Sequence, residues 1–339
     1  MAEQKQCPPP EAKVMQLLFG AYVSGAVSCV AQMGIADHLD AGPKSAAEIA
    51  GEIKADATAL YRLMRATASV GVFAEGPDGK FSQTAESAVL RSSANPSLRA
   101  MATMHGHEWH MRGWEQLEYC VKTGKTAIEK VYGMPIFEYL KQHPKEAQVF
   151  NDAMSSFSMM DSPAVVDAYS FEGIHSIVDV AGGHGLLLAK ILERYPGMRG
   201  TLYDLPEVME GAKSGPLKNV MDRCTLQSGD MFSTVPAGVD AYIMKHIIHD
   251  WADEQCVSIL KACRKSVNAG GKLLVVDSVI QPGNEFAPGK FLDLQMLVAA
   301  GGRERTEKQF REIFEASGWK LNRVIPLSTP ESIVEGVPV

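Results

Sequence analysis

The residues of this chain that could do chemistry fall in a few short segments. In the first, Ile177-Val178-Asp179-Val180-Ala181-Gly182-Gly183-His184-Gly185 runs into Leu186-Leu187-Leu188, and the next strand-like run closes at Tyr203-Asp204-Leu205. A β-branched run, a glycine cluster, an apolar helix and an acid roughly twenty residues on is the layout with which βαβ units bind adenosine. Glycine belongs where backbone must approach a ligand that a Cβ would strike. The pyrophosphate version of this loop wants a third glycine where the helix packs on the strand, and Leu188 stands there. That argues against NAD and FAD. The ligand must carry a ribose that Asp204 can grip and need not carry a pyrophosphate, which S-adenosylmethionine satisfies.

A second segment, Gln227-Ser228-Gly229-Asp230-Met231-Phe232, sets a carboxylate beside a thioether. Asp230 can accept from an adenine amino group while Met231 covers the ring; alone, it reads equally well as a loop aspartate in a turn. A third, Met244-Lys245-His246-Ile247-Ile248-His249-Asp250-Trp251, holds two histidines three residues apart in apolar surroundings. Histidine is the side chain best suited to accept a proton near neutral pH, although a lone one is more often structural. Two acids shift that balance: Asp277, which ends the fifth strand, and Glu304 in Gly301-Gly302-Arg303-Glu304-Arg305, where arginines order the loop. A carboxylate on the other imidazole nitrogen fixes the tautomer and stabilises the imidazolium. Such a base suits a phenol, whose unperturbed pKa of about 10 matches tyrosine, and the phenolate would then meet a sulfonium in a dry pocket. His105, His107 and His110 do not share one helix face, so no metal site is expected there.

These residues need a scaffold that brings strand ends together. From Phe171 onward strands alternate with helices: Ile177–Val180, Arg199–Asp204, Cys224–Ser228, Ala241–Met244, Leu273–Asp277, Leu321–Ile325 and Ile333–Glu335. The alternation predicts a mostly parallel sheet covered on both faces, with ligands at its carboxyl edge. Asp179, Asp204, Asp230, Lys245, His249 and Asp277 all fall at that edge. Upstream, residues 11–38 show helical periodicity with small residues and read as an interface helix. Shorter helices follow, one over 56–69 with Leu60, Leu63, Met64 and Ala68 on a stripe. A hairpin turning at Gly76-Pro77-Asp78-Gly79 completes a winged-helix pattern. Residues 98–169 are helical and rich in methionine and aromatics, mostly core. Three regions are expected: 11–100, 101–170 as a connecting and substrate-pocket region, and 171–339 as the cofactor-binding catalytic domain.

The 339-residue chain carries a formal net charge of −7, which lacks the basic footprint nucleic-acid binding needs. No run of eighteen uninterrupted apolar residues occurs, and the start of the chain, expected to be disordered, lacks a signal-peptide core. A cytoplasmic protein is expected, with neither membrane nor metal as partner. The six cysteines, at 7, 29, 120, 224, 256 and 263, read as reduced core thiols.

Taken together, Tyr203-Asp204-Leu205-Pro206-Glu207-Val208, Ser228 to Phe232, Lys245 through His249-Asp250-Trp251, and Gly301 to Thr306 give a chain that resembles the S-adenosylmethionine-dependent O-methyltransferases of the caffeic acid, acetylserotonin and hydroxyneurosporene type, from Leu17 to Glu335. The resemblance implies an α/β fold, a Rossmann-like methyltransferase sheet with an N-terminal helical winged-helix dimerisation domain that forms a homodimer. It implies methyl transfer from S-adenosylmethionine, leaving S-adenosylhomocysteine, to a hydroxyl of a small aromatic acceptor. His249 would be the general base, bracketed by Asp277 and Glu304. Gly183, Asp204, Asp230, Met231 and Lys245 would hold the cofactor, with Asp179, Gly182 and Leu205 completing the candidate set. Asn151, Met154 and Met296 would wall the acceptor, joined by Asp250.

Two departures stand out: Ala181 replaces the first glycine of the family's loop, and the fifth-strand acid is Asp277 rather than the more familiar glutamate, which shortens its reach to His249. Two competing readings are use of the bound cofactor in decarboxylation or hydroxylation, and a DNA-binding regulator in which Arg62 and Arg65 face phosphates.

Overall fold

The structure is a computed structural model that describes residues 9–212 and 215–339; Cys7 and the expected disordered start up to Pro8 lie outside the described residues. The chain forms two compact units, one of residues up to 112 plus 143–157, the other of 113–142 plus 158–339, so the methionine-rich stretch 101–170 is divided between them.

The first unit begins with α1 (Pro10–Gln32), which carries proline in its first turn where no amide is missed. The helical pattern to residue 38 stops early, because Gly34 takes φ +68° and the chain continues as a single tight turn, Ile35–Leu39. Helix α2 (Ala46–Ile53) starts at a reciprocal cap, with Ser45 Oγ accepting from the Glu48 amide at 3.3 Å and the Ser45 amide donating to Glu48 Oε2 at 2.7 Å. Asp56 caps α3 (Ala57–Ala68) by accepting from the Ala59 amide at 2.7 Å. Leu60 and Met64 are buried as the stripe predicted, with Leu63 and Ala68 partly buried beside them. The hairpin is present as β2 (Phe73–Glu75) and β3 (Lys80–Gln83), and a two-residue strand, β1 (Lys44–Ser45), pairs with β3. Two residues carry no periodic signal, so β1 was invisible in the sequence.

The second unit is built on a seven-stranded sheet. Its strands are β4 (Ser176–Val180), β5 (Arg199–Asp204), β6 (Cys224–Ser228), β7 (Val239–Lys245), β8 (Val267–Asp277), β9 (Trp319–Pro326) and β10 (Ser332–Pro338), in the order β6-β5-β4-β7-β8-β10-β9. The pairs from β6 to β8 are parallel, and β10 pairs antiparallel with both β8 and β9. β8 begins earlier than its apolar run implies, because Gly270 (φ +75°) and a register shift at Val239/Ala241 let the turn-like Asn268-Ala269-Gly270-Gly271 remain in the ladder. Strand order reverses direction at β4, so the crevice between the carboxyl ends of β4 and β7 is where such sheets receive ligands.

The helix Leu186–Arg194 buries Leu187, Leu188, Ile191 and Leu192 against this sheet, a gross apolar stabilisation of roughly 6–12 kcal/mol. Room for Leu188 comes from the facing strand: a Cβ on Gly200 would stand 2.7 Å from Leu188 Cδ1. The close approach usually provided by a glycine on the helix is made here by a glycine on β5.

Candidate active site

At the carboxyl end of β4 the chain turns sharply through Ala181, Gly182 and Gly183. The Ala181 amide donates to the Tyr203 carbonyl at 2.7 Å, locking the loop onto β5. Ala181 adopts φ +54°, the left-handed backbone that glycine would occupy freely and that costs an L-residue about 1 kcal/mol. The substitution therefore preserves the loop's path at the expense of strain. Gly182 tolerates no side chain, since a Cβ would run into the Asp179 carboxylate and Leu202. Gly183, at φ +60°, has open space where its Cβ would be, a cradle that a sugar can fill.

Asp204 ends β5 beside this loop. Its Oδ2 accepts from the Gly183 amide at 2.8 Å and its Oδ1 from the Leu205 amide at 2.7 Å. A carboxylate offers about four lone-pair sites, so one group can accept from several donors at once. Leu205 is exposed next to it. The next strand ends in Ser228 and leads to Asp230, whose Oδ1 accepts from the Phe232 amide at 2.9 Å. Met231 and Phe232 pack partly buried, and the Phe232 ring meets the edge of Trp251 at 4.8 Å. Asp179 differs from these: at 1% exposure it lies wholly beneath Gly182. Burial pushes its carboxyl up to about 7 against the opposing charge of Lys245.

Lys245, at the end of β7, donates to Ser158 Oγ at 2.9 Å. Burial lowers its proton affinity while Asp161, Asp179 and Glu331 oppose the change. His246 follows in a left-handed conformation (φ +57°) and pairs through Nε2 with Asp161 Oδ2 at 2.9 Å. Its proton affinity is held down by burial, Lys245 and His249. Asp161, His246 and Glu331 bring ligand-type atoms within 4.8 Å of one another, and the Lys245 ammonium already serves as the cation of this cluster. Sequence reasoning missed Asp161, Ser158 and Glu331; the one available signal was a lone acid closing the apolar run Ser158-Met159-Met160-Asp161.

His249 sits in a one-turn helix, Ile248–Asp250, and is 6% exposed. Its Nδ1 lies 2.6 Å from Glu304 Oε1, and its Nε2 3.7 Å from Asp250 Oδ1. An imidazole donating Nδ1–H to a carboxylate keeps Nε2 as its acceptor nitrogen. Burial disfavours its charged form, but Asp277, Asp250 and Glu304 outweigh that and raise it to about 10. Asp277 acts through charge alone: neither of its buried oxygens has a hydrogen-bond partner among the described residues. Burial lifts Asp277, with Glu304 adding and His249 opposing, and lifts Asp250 to about 6. Of the two acids expected to bracket His249, Glu304 alone makes the bond.

Arg305 holds this pair in register. It is fully buried and donates to the carbonyls of Ile248 at 2.9 Å and Trp251 at 2.8 Å and to Asp253 Oδ1 at 2.8 Å. The Glu304 amide is itself taken by Asp293 Oδ1 at 2.9 Å. The loop that carries the acid is thus tied to the turn that carries the base. Met296, buried at the end of the helix Pro288–Ala299, and Asp250 share this unit with His249. Asn151 and Met154, on the helix Pro144–Ala168, belong to the other unit. His105 and His110 fall on two successive helices, with rings 5.2 Å apart.

Comparison with known proteins agrees with this geometry. Residues 114–320 match the O-methyltransferase domain family and residues 15–93 the O-methyltransferase dimerisation domain family. The chain is 41% identical to phenazine O-methyltransferase PhzM of Lysobacter antibioticus, over 98% of this chain and 97% of that protein. It is 37% identical to the mitomycin biosynthesis 6-O-methyltransferase of Streptomyces lavendulae, over 96% of this chain and 94% of that one. The crystal structure of CalO1, a methyltransferase in calicheamicin biosynthesis solved with S-adenosylhomocysteine bound, superposes with a TM-score of 0.87 at 30% identity, covering 98% of this chain and 100% of that chain. With its glycine cradle, its strand-end acids and these relatives, the chain belongs to the S-adenosylmethionine-dependent O-methyltransferases.

Proposed function

We propose that this enzyme methylates a hydroxyl, phenolic in character, on a small aromatic acceptor, with His249 as general base. The observation that carries the reading is the preformed bond between His249 Nδ1 and Glu304 Oε1 at 2.6 Å, which leaves Nε2 to take the acceptor's proton. One relative is named a phenazine O-methyltransferase and another a 3-amino-4-hydroxybenzoate 4-O-methyltransferase, which supports an aromatic acceptor without fixing its rings. Bound S-adenosylmethionine supplies the electrophilic methyl. Gly182, Gly183, Asp204 and Leu205 would hold its sugar and Asp230 and Met231 its adenine, with Lys245 completing the set, while Asp179 supports Gly182 from below. Met296 and Asp250, in the unit that carries His249, would line the acceptor.

A non-methylating use of the cofactor is disfavoured by the same bond, since an oriented base has no duty in a purely structural role for the ligand. DNA binding is disfavoured because Arg65 packs over the Tyr61 ring at 5.4 Å. The reading includes a reducing, cytoplasmic setting, in which six scattered cysteines would remain thiols. Incubation of catechols, hydroxyphenazines, flavonoids and phenolic acids with methyl-labelled cofactor tests the proposal. Label should appear on an aromatic oxygen; label only on nitrogen or carbon would contradict it.

The proposal also includes a homodimer formed through α1. That helix leaves Leu17, Leu18, Phe19 and Tyr22 exposed, and Met15, Phe19, Val23 and Val70 line a groove on it. By length and composition α1 could cross a membrane, but the dimerisation match over 15–93 supports a second copy of the chain as its cover. Leu18→Glu combined with Phe19→Glu is expected to give a monomer by size-exclusion chromatography with light scattering. A dimer retained at micromolar concentration would contradict the assignment.

A further inference from the structure

Three carboxylates converge on one buried imidazole. Glu304 bonds His249 Nδ1 at 2.6 Å, Asp250 stands 3.7 Å from Nε2, and Asp277 brings an oxygen within 4.8 Å. The basic groups nearby are committed elsewhere: Lys245 donates to Ser158, Arg305 to Asp253 and to the carbonyls of Ile248 and Trp251, and His246 pairs with Asp161. Asp293 is engaged by the Glu304 amide. An imidazole in this company keeps its proton. Burial works against the charge, but the three acids win and raise His249 to about 10. At neutral pH the resting side chain is therefore an imidazolium, which cannot act as a base.

We propose that loading S-adenosylmethionine weakens the hold of His249 on this proton, so that the share of side chains able to act as a base rises when the methyl donor is present. The inference rests on the function proposed above. The charges balance at each stage. In each molecule where His249 gives its proton to solvent on loading, a fixed positive sulfonium charge takes that proton's place and the net charge is unchanged. During transfer, Nε2 takes the acceptor's hydroxyl proton, the new oxygen–carbon bond forms and the sulfur–carbon bond breaks. The enzyme then holds an imidazolium beside a neutral thioether, its resting charge. S-adenosylhomocysteine lacks the sulfonium and leaves His249 protonated. Across a few ångströms in an effective dielectric of about 20, a unit charge lowers proton affinity roughly a hundred-fold. Near pH 9 that corresponds to release of about 0.8 proton per site.

Calorimetric titrations of the full-length protein at pH 9, in buffers of different ionisation enthalpy, count the protons released by each ligand. The readout is S-adenosylmethionine minus S-adenosylhomocysteine in the wild type, compared with the same difference in His249→Asn, which retains the ligands' own ionisation. The wild type is expected to exceed the variant by roughly 0.8 proton. In Glu304→Gln, where His249 starts with lower affinity, the excess should shrink at pH 9 and reappear at lower pH. An equal difference in wild type and His249→Asn would overturn this inference alone if methyl transfer still occurs. Failure of the wild type to bind either ligand would overturn the proposed function and this inference with it.

Discussion

Replacing His249 with asparagine is expected to lower kcat by a factor of about 10² to 10⁴ for a weakly acidic phenol, while affinity for S-adenosylhomocysteine, which carries no sulfonium, changes by no more than a few-fold. The asparagine amide can still donate to Glu304, so the 2.6 Å partnership is replaced rather than orphaned and the pocket should keep its shape. What disappears is Nε2, the nitrogen left free by that partnership. That affinity should persist because Gly183, Asp204 and Asp230 lie at the ends of β4 to β6, on strands other than β7, which leads to His249. Steady-state kinetics and calorimetry separate the two effects, and turnover within ten-fold of the wild type would refute the assigned base. The variant also loses a pH-dependent contribution to stability. Because the folded protein holds the His249 proton more tightly than the ordinary 6.5, its contribution is full below that pH and fades as pH rises through about 10.

Gly302→Ala should be nearly as damaging although residue 302 does no chemistry. A Cβ there would collide with the His249 carbonyl oxygen and the Asp250 carbon, and would lie 2.6 Å from the Trp251 amide nitrogen. These are backbone atoms, and the turn cannot yield because Arg305 holds the Ile248 and Trp251 carbonyls. The loop must retreat instead, taking Glu304 away from His249. Overpacking against fixed backbone is expected to cost about 3 kcal/mol, a fall in Tm of roughly 5–10 °C, with activity reduced at least ten-fold below the melting range. A wild-type Tm and turnover would show that the loop is not clamped as described.

The parts of this site that were legible in the sequence are those set by residue type at the end of a strand. β5 and β6 run between the bounds their apolar runs imply, and Asp204, Asp230, Lys245 and Asp277 follow because strand ends in such a sheet converge. His249 and Glu304 were legible as a pair of complementary chemistries, 55 residues apart in the chain. What was hidden depends on distant partners that no local pattern announces. His246 looked like a second candidate base, yet Asp161, 85 residues upstream, claims it. Arg305 was expected to order its own loop, and its fully buried reach to the Ile248 and Trp251 carbonyls had no local signal. Asp277 was expected to orient the imidazole and acts only through its field. Leu188 signalled the absence of a pyrophosphate loop, but the compensating Gly200 sits on the opposite strand, where only the fold makes the pairing visible.

The most direct test of the central claim is the rate lost in His249→Asn across phenols of graded acidity, measured in single turnover at one pH. If Nε2 removes the hydroxyl proton, the loss should approach about 10³ for acceptors with pKa near 10 and shrink toward unity for those that arrive already ionised. An equal loss for every acceptor, acidic or not, would mean that His249 positions the substrate and that the proton leaves by another route.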